Sequence, residues 1–427
     1  VRVASTIERI AAGGAGVGRL PDGRTVFVHR TAPGDEIELR VTQEKPRWAR
    51  GALIAVRRAS ADRRDAPCPF YARCGGCTLE HLVYPAQLRA KARIVADALA
   101  RIGGLELEEP AVVPSPVEFR YRNRVSFTLL RLGADRVVAG FHELERPGRV
   151  LDVTGACLLP ESGVAAAWDA LRANWGAGAN RLPSGDRLRL TVRATAQGRA
   201  AVLVQGGHGP GRPDDLLERV PRIAALWHQR AAARAPVLLG GCADLDESWA
   251  DEDVAVTGGV FLQVNRAAAA LLEEYVLSVA GAVAGQRIVD AYCGVGLHAR
   301  RFARAGARVV GIELDREAVR LARRSSPEEG ASPVFMEGDV GALLPGQLPA
   351  DLVLLNPPRA GLDGTVIDAL ARMPPRRVLY VSCDAATLAR DLKRLAGVFR
   401  VRSVRCFDLF PQTAHVETVV ELACATS

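Results

Sequence analysis

Asp290-Ala-Tyr-Cys-Gly294-Val-Gly296-Leu-His-Ala299 follows directly on the apolar run Arg287 to Ala291, and its reading decides the fold. A short buried strand that ends in glycines and opens into a helix lets the backbone approach a nucleoside, because glycine has no Cβ to hold the ligand away. The G-x-G-x-x-A spacing is shared among several nucleoside-binding α/β classes, so the choice between them falls to residues further along. The alternation continues downstream. Strands are expected at Arg308 to Ile312, Pro333 to Glu337, Asp351 to Leu355, Val378 to Val381, Val401 to Phe407 and Val416 to Leu422, with helices between most of them. Counting Arg287 to Ala291, that makes seven strands, the last two without a clear helix between them.

The polar residues fall at the ends of these strands, where open sheets of this kind place their ligands. Glu313 ends the second strand, where an acid can bind both ribose hydroxyls of an adenosine, and Asp339 holds the matching place after the third. After the fourth stands Leu354-Leu-Asn356-Pro357-Pro358-Arg359-Ala-Gly361, in which two prolines stiffen the backbone and the Asn356 amide can meet the edge of a base. Cys383 lies just past the fifth, in Ser382-Cys383-Asp384, presented at the sheet edge instead of packed in the core. Phe410-Pro411-Gln412-Thr413-Ala-His415-Val-Glu417 then brings a carboxylate to the rim near that cysteine.

The chain has 427 residues, 48% hydrophobic and 24% charged, enough for two to four domains. Its formal charge of +8, carried almost wholly by arginine, suits a polyanionic partner. No apolar run approaches the ~20 residues of a membrane span, and no signal segment is evident at the start. A cytoplasmic protein with no membrane partner is therefore expected, and we expect a monomer. Residues 1–58 read as an OB-like barrel: Val1-Arg-Val-Ala alternates, Gly13 to Gly18 and Pro33-Gly34-Asp35 mark turns, and Val26 to His29 and Glu36 to Val41 are strand-like. Lys45, Arg47, Trp48 and Arg50 mix cations with an aromatic, as a single-strand binding face does.

Three cysteines at C-x5-C-x2-C, Cys68, Cys74 and Cys77, stand with Gly75-Gly76 between the last two. Nine cysteines without a secretory signal argue against a disulfide framework, and this asymmetric spacing favours an iron–sulfur cluster over zinc. Cys157 is the best fourth ligand, with a buried loop cysteine as its bland alternative. Leu88, Ala92, Val95 and Leu99 mark a helix from Gln87 that closes at Gly103-Gly104. Phe119 to Phe127 interleaves Arg120, Arg122 and Arg124 with aromatics, a pattern that an RNA groove needs and that a strand with one charged face would equally show.

These motifs together resemble the RNA 5-methyluridine methyltransferases, in the branch with an N-terminal TRAM barrel and an iron–sulfur cluster that acts on 23S ribosomal RNA. The resemblance implies a Rossmann-like S-adenosylmethionine-dependent methyltransferase domain at 259–427. Ahead of it would come a TRAM barrel at 1–58 and a mixed α+β segment at 59–258 that holds the cluster and binds RNA. By the same resemblance Cys68, Cys74, Cys77 and Cys157 would ligate a 4Fe–4S cluster. Gln263, Tyr292, Gly294, Gly296, Glu313, Asp339 and Asn356 would form the S-adenosylmethionine pocket, Cys383 would be the nucleophile and Glu417 the base.

The implied chemistry needs these residue types. Uracil C5 is a poor nucleophile, but thiolate addition at C6 turns C4–C5 into an enolate that can take a methyl group. A base must then remove the C5 proton before the thiolate can leave. The family carries aspartate where Asn356 stands, and a rotated amide would serve cytosine as well as uracil. The open alternatives are tRNA uridine, cytosine, or an RNA-binding iron–sulfur protein without activity.

Overall fold

The computed structural model describes residues 2–425 apart from 134, 234, 250–251 and 327–331. Val1, assigned above to the first strand, lies outside the described residues. Five strands come first: β1 (Arg2–Ile10), β2 (Gly16–Arg19), β3 (Thr25–Val28), β4 (Glu36–Glu44) and β5 (Trp48–Arg58). They close into a barrel in the order β1-β2-β3-β5-β4. Period-two alternation turns Ile7, Val17, Val26, Val28, Ile37 and Leu39 into the barrel and leaves polar residues outside. The Pro33-Gly34-Asp35 turn ends in a fully buried carboxylate that accepts from Ala32 N at 2.6 Å and from Ser60 N and Arg63 Nε at 2.9 Å.

Helix α1 (Tyr84–Ala98) starts three residues before the expected Gln87, because Pro85 in its first turn has no N–H to lose and a φ already suited to a helix. It runs into a π-helical turn, Leu99–Gly103, and Gly104 ends it in the left-handed conformation. The next strand, β6 (Val112–Val113), joins a sheet formed far downstream. β7 (Arg124–Arg131), β8 (Val137–His142) and β9 (Val150–Asp152) lead to helix α2 (Ser162–Asn174), and β10 (Arg187–Ala194) and β11 (Ala200–Gln205) to helix α3 (Pro213–Arg219). With β12 (Ile223–Gln229) and β13 (Val237–Gly241) these strands make a seven-stranded sheet, order β13-β12-β11-β10-β7-β8-β9. One face of it packs Phe127, Leu190, Val192 and Val202 against Trp168 of α2. A hairpin, β14 (Leu245–Trp249) and β15 (Glu252–Val256), leads to helix α4 (Arg266–Ala280).

From there strands and helices alternate: β16 (Arg287–Ala291), α5 (Leu297–Arg304), β17 (Arg308–Glu313), α6 (Arg316–Arg324), β18 (Val334–Glu337), α7 (Val340–Leu343), β19 (Leu352–Leu355), α8 (Gly364–Arg372), β20 (Arg377–Ser382) and α9 (Ala385–Leu395). The last two strands, β21 (Phe399–Phe407) and β22 (Glu417–Cys424), have no helix between them. The sheet order is β18-β17-β16-β19-β20-β22-β21-β6. β18 to β20 are parallel and β22 is antiparallel to both its neighbours. Helices on both faces explain why β19 is buried at every residue. The seven expected strands are present, and β6 adds an eighth at the edge, parallel to β21. Four helices start on an aspartate just past a strand or loop: Asp315, Asp339, Asp363 and Asp384 each accept backbone N–H groups of the following turn. Among the described residues no helix is long and apolar enough to cross a membrane.

Candidate active site

The register of the sheet creates the site. Ser382 of β20 pairs with Thr418 of β22, so the next residue outward on each side, Cys383 and Glu417, come side by side where β20 ends and β22 begins. Asp384 then turns the chain into α9 by capping Ala386 N and Thr387 N at 3.0 and 2.9 Å, which holds Cys383 at the mouth of the sheet, half-buried. Glu417 is buried, and its Oε2 makes no hydrogen bond among the described residues. Burial pushes its carboxyl up to about 8, against the opposing pull of Arg359. The Cys383 thiol is raised above its ordinary value by burial and by Glu417, while Arg359, by charge and hydrogen bond, pulls it back down. Arg359 therefore faces both Cys383 and Glu417. Sequence reading quoted it within its motif and gave it no role; its place directly after the stiff Pro357-Pro358 pair was the available signal.

The loop carrying Asn356 and Arg359 is tied to the cysteine's own helix. Leu362 N donates to Asp391 Oδ2 at 2.8 Å and Arg390 donates to the Ala360 carbonyl at 2.8 Å. Gly361, at φ +77°, has no room for a side chain: a Cβ would lie 2.4 Å from Asp391 Oδ2. Thus α9 orients Cys383 at its start and the Asn356 loop along its flank.

The loop before Glu417 is held from the opposite side. Gln412, buried at φ +69°, accepts through its side-chain oxygen from Arg64 and Gln87, both at 2.9 Å. Its carbonyl accepts from Thr78 N and Leu79 N at 2.9 Å, directly after Cys77. Tyr121 Oη donates to the Pro411 carbonyl at 2.9 Å. Lys91 and Asp408 form an ion pair with both side chains at 0% exposure, and Lys91 also donates to the Phe410 carbonyl at 3.1 Å. The Phe410 to Glu417 motif is therefore mostly a set of anchors that fix one carboxylate.

Of the candidate cofactor residues, Tyr292, Gly294, Gly296, Glu313, Asp339 and Asn356 lie at or just past the ends of β16 to β19, while Gln263 lies in the segment before α4. Glu313 accepts from Gly294 N at 3.0 Å and from Asp315 N at 2.8 Å, which fixes its carboxylate beside the glycine turn. Tyr292 stands at φ +65° in that turn. A Cβ at Gly294 would meet nothing within 4 Å, whereas one at Gly296 would strike Phe335 at 2.5 Å. Gly294 thus borders open space and Gly296 serves close packing. Asp290 is buried with Oδ2 unpartnered and its carboxyl raised to about 7 by desolvation; sequence reading quoted it without assigning a role. Asn356 lies at the end of β19, and the Gln263 carbonyl takes Asn123 Nδ2 at 2.9 Å. Asp339 is exposed and spends Oδ1 on capping Ala342 N at 3.1 Å, which leaves Oδ2 to a ligand. An orphaned acceptor, a fixed acid and a glycine edge with room beside it fit an adenosyl sulfonium.

Cys68, Cys74, Cys77 and Cys157 are all buried and line one cavity with Tyr71, Glu80 and Phe141. Among the described residues no three His, Cys, Asp or Glu side chains form a group that could hold a single metal ion. The four thiols face one another across this cavity, with Cys68 and Cys157 in hydrogen-bond contact. Of the arginines expected to grip RNA, Arg124 is spent on the Gly259 and Val260 carbonyls at 3.2 and 3.3 Å. Arg122 lies 5.8 Å from the Phe410 ring, and Arg120 donates to the Gly155 carbonyl at 3.0 Å.

Comparison with known proteins agrees with this architecture. A TRAM domain matches residues 5–54, a methyltransferase domain residues 288–373, and a tRNA (uracil-5-)-methyltransferase family model residues 346–424. An uncharacterised RNA methyltransferase of Gloeobacter violaceus is 36% identical, covering 97% of this chain and 95% of the relative. One of Nitratidesulfovibrio vulgaris is also 36% identical, covering 98% and 95%. Among solved structures, the tRNA (uracil-54, C5)-methyltransferase of Pyrococcus abyssi in complex with S-adenosyl-L-homocysteine superposes with a TM-score of 0.74 at 26% identity, over 98% of this chain and 100% of that one.

Proposed function

The chain belongs to the S-adenosylmethionine-dependent RNA methyltransferases, and from that premise we propose that it methylates C5 of a uridine through a covalent bond between Cys383 and C6. The observation that carries this reading is the placement of Cys383 beside a fully buried Glu417, with Arg359 facing both. S-adenosylmethionine supplies the methyl group as an activated sulfonium. Arg359 favours the Cys383 thiolate, which adds to C6 and pushes electron density through C5 toward O4. Once C5 carries the methyl group, Glu417 takes the C5 proton, the C5–C6 double bond re-forms and the thiolate leaves. A desolvated carboxylate is a strong base once ionised, which suits a carbon acid. The Asn356 amide, at the end of β19, offers one donor and one acceptor to the base edge.

The proposed target is 23S ribosomal RNA, as the four-cysteine pattern implies. A second reading, tRNA uridine, is favoured by the activity printed for the Pyrococcus abyssi neighbour. Either way the base must leave its stack to reach Cys383. Exposed Lys45, Arg47 and Arg50 around Trp48 give the barrel an RNA-facing edge. Cys68, Cys74, Cys77 and Cys157 would hold a 4Fe–4S cluster, whose role here is to fix the loop that anchors Gln412. The deciding experiment is mass spectrometry of the protein incubated with S-adenosylmethionine and 5-fluorouridine-substituted 23S RNA or tRNA. Fluorine at C5 cannot be removed by Glu417, so a methylated adduct on Cys383 is expected on the true substrate. RNA bound with no adduct on either would overturn the reading.

A further inference from the structure

A concavity of about 670 Å³ lies on the face of the central sheet opposite α2, outside the reaction site. Sheet register builds its floor. Thr128 pairs with Arg189, Arg189 with Gln205 and Gln205 with Gln229, so one rung runs across β7, β10, β11 and β12 on a single face. The residues between them, Phe127, Leu188 and Val204 among others, point into the core. Arg187 and Arg230 flank the rung, and no acidic side chain lines the concavity.

The charge there is uncompensated. Arg187 and Arg189 reach only His142 and Ser126, each at 3.4 Å, and among the described residues neither they nor Arg230 pairs with a carboxylate. On the helical side of the same sheet Arg172, Arg181 and Arg219 each hold an aspartate. The floor is also joined to the candidate active site. Arg124 and Arg193, further along β7 and β10, donate to carbonyls of Gly259 and Val260, and this segment continues through Phe261, 59% exposed, to Gln263.

We propose that this concavity holds the ribose–phosphate backbone of an RNA stem flanking the target nucleotide, with phosphates on Arg187, Arg189 and Arg230 and ribose 2′-hydroxyls on Thr128 and Gln205. The inference rests on RNA being the substrate. A stem is favoured over unpaired RNA because the aromatic rings lining the concavity are Phe127, buried, and His142, half-buried with both ring nitrogens hydrogen-bonded, whereas single strands are held chiefly by stacking on open aromatic rings. Its consequence is that the enzyme reads structure beyond the flipped base.

The test compares wild type with the triple variant Arg187→Ala/Arg189→Ala/Arg230→Ala on two probes: a stem–loop with a uridine-containing loop, and the loop sequence alone as an unpaired oligonucleotide. For the stem–loop, fluorescence anisotropy should show roughly ten- to a hundredfold weaker binding and a log–log salt slope shallower by about 2 to 3, the loss of three phosphate contacts. Affinity and turnover on the unpaired probe should not change, and the triple lysine variant should keep most of the stem–loop affinity. Equal weakening on both probes, or none on the stem–loop, would overturn the inference while leaving uracil methylation intact. Wild type that binds neither probe would strike the substrate reading as well.

Discussion

At the scale of the residue, the candidate centre is a thiol, a guanidinium and a buried carboxylate: the guanidinium draws the carboxyl and the thiol toward their charged forms, and the carboxylate pushes the thiol the other way. Glu417→Gln keeps shape but cannot take the C5 proton, so denaturing gel electrophoresis should show a protein–RNA band on unmodified RNA with S-adenosylmethionine, which Cys383→Ala abolishes. Turnover of the wild type should climb as pH rises through about 8, where Glu417 ionises. Arg359→Met should lower turnover roughly a hundredfold and displace that limb to higher pH, because the cation that favours both charged forms is gone. Stability should move the other way. The carboxyls of Glu417 and Asp290 are raised from 4.5 and 3.8 to about 8 and about 7. Their contribution is thus full below about pH 4 and is lost as pH rises through 7 to 8. Differential scanning calorimetry should find Glu417→Gln more stable relative to wild type at pH 9 than at pH 5.

At the scale of the element, the candidate site depends on a helix from the first quarter of the chain anchoring a loop near its other end. Helix α1 carries Lys91 against Asp408 at the root of the Phe410 to Glu417 loop, and Tyr84 Oη adds a hydrogen bond to Asp408 at 3.1 Å. Lys91→Met strands that carboxylate in the interior, so urea unfolding should show a loss of about 3 to 5 kcal/mol, and Lys91→Met/Asp408→Leu should recover much of it. The sequence marked α1 only as an amphipathic helix. Its lysine looked like any helix-surface cation, since a charge pair 317 residues apart leaves no local pattern. The caps were more legible: Asp384 stands one residue after Cys383, and an aspartate between strand and helix is a local signal.

At the scale of the whole molecule, the four-cysteine cavity, the Gln412 anchor and the Glu417 carboxylate lie in series, because Thr78 and Leu79 follow Cys77 directly and bind the Gln412 carbonyl. Anaerobically purified protein should contain iron near four per chain with broad visible absorbance, and Cys157→Ala should lose both. The same variant should show earlier protection loss in hydrogen exchange at residues 410–416 than in β16 to β19. Iron content unchanged by Cys157→Ala would refute this ligand set.

The succession of strands along the catalytic half, the glycine turn, the cysteine spacing and the place of Cys383 at a strand end were all determined by the sequence, because each rests on short-range periodicity or a motif a few residues long. The barrel's turns and the doubly wound half were legible for the same reason. The surroundings of Arg359 and Asp290, the joining of β6 to a sheet nearly 300 residues downstream, the burial of Glu417 and the polar rung from Thr128 to Gln229 were decided only by tertiary structure. Burial and charge neighbours are properties of space. They set protonation and open surface, and so the chemistry, only once distant segments have packed together.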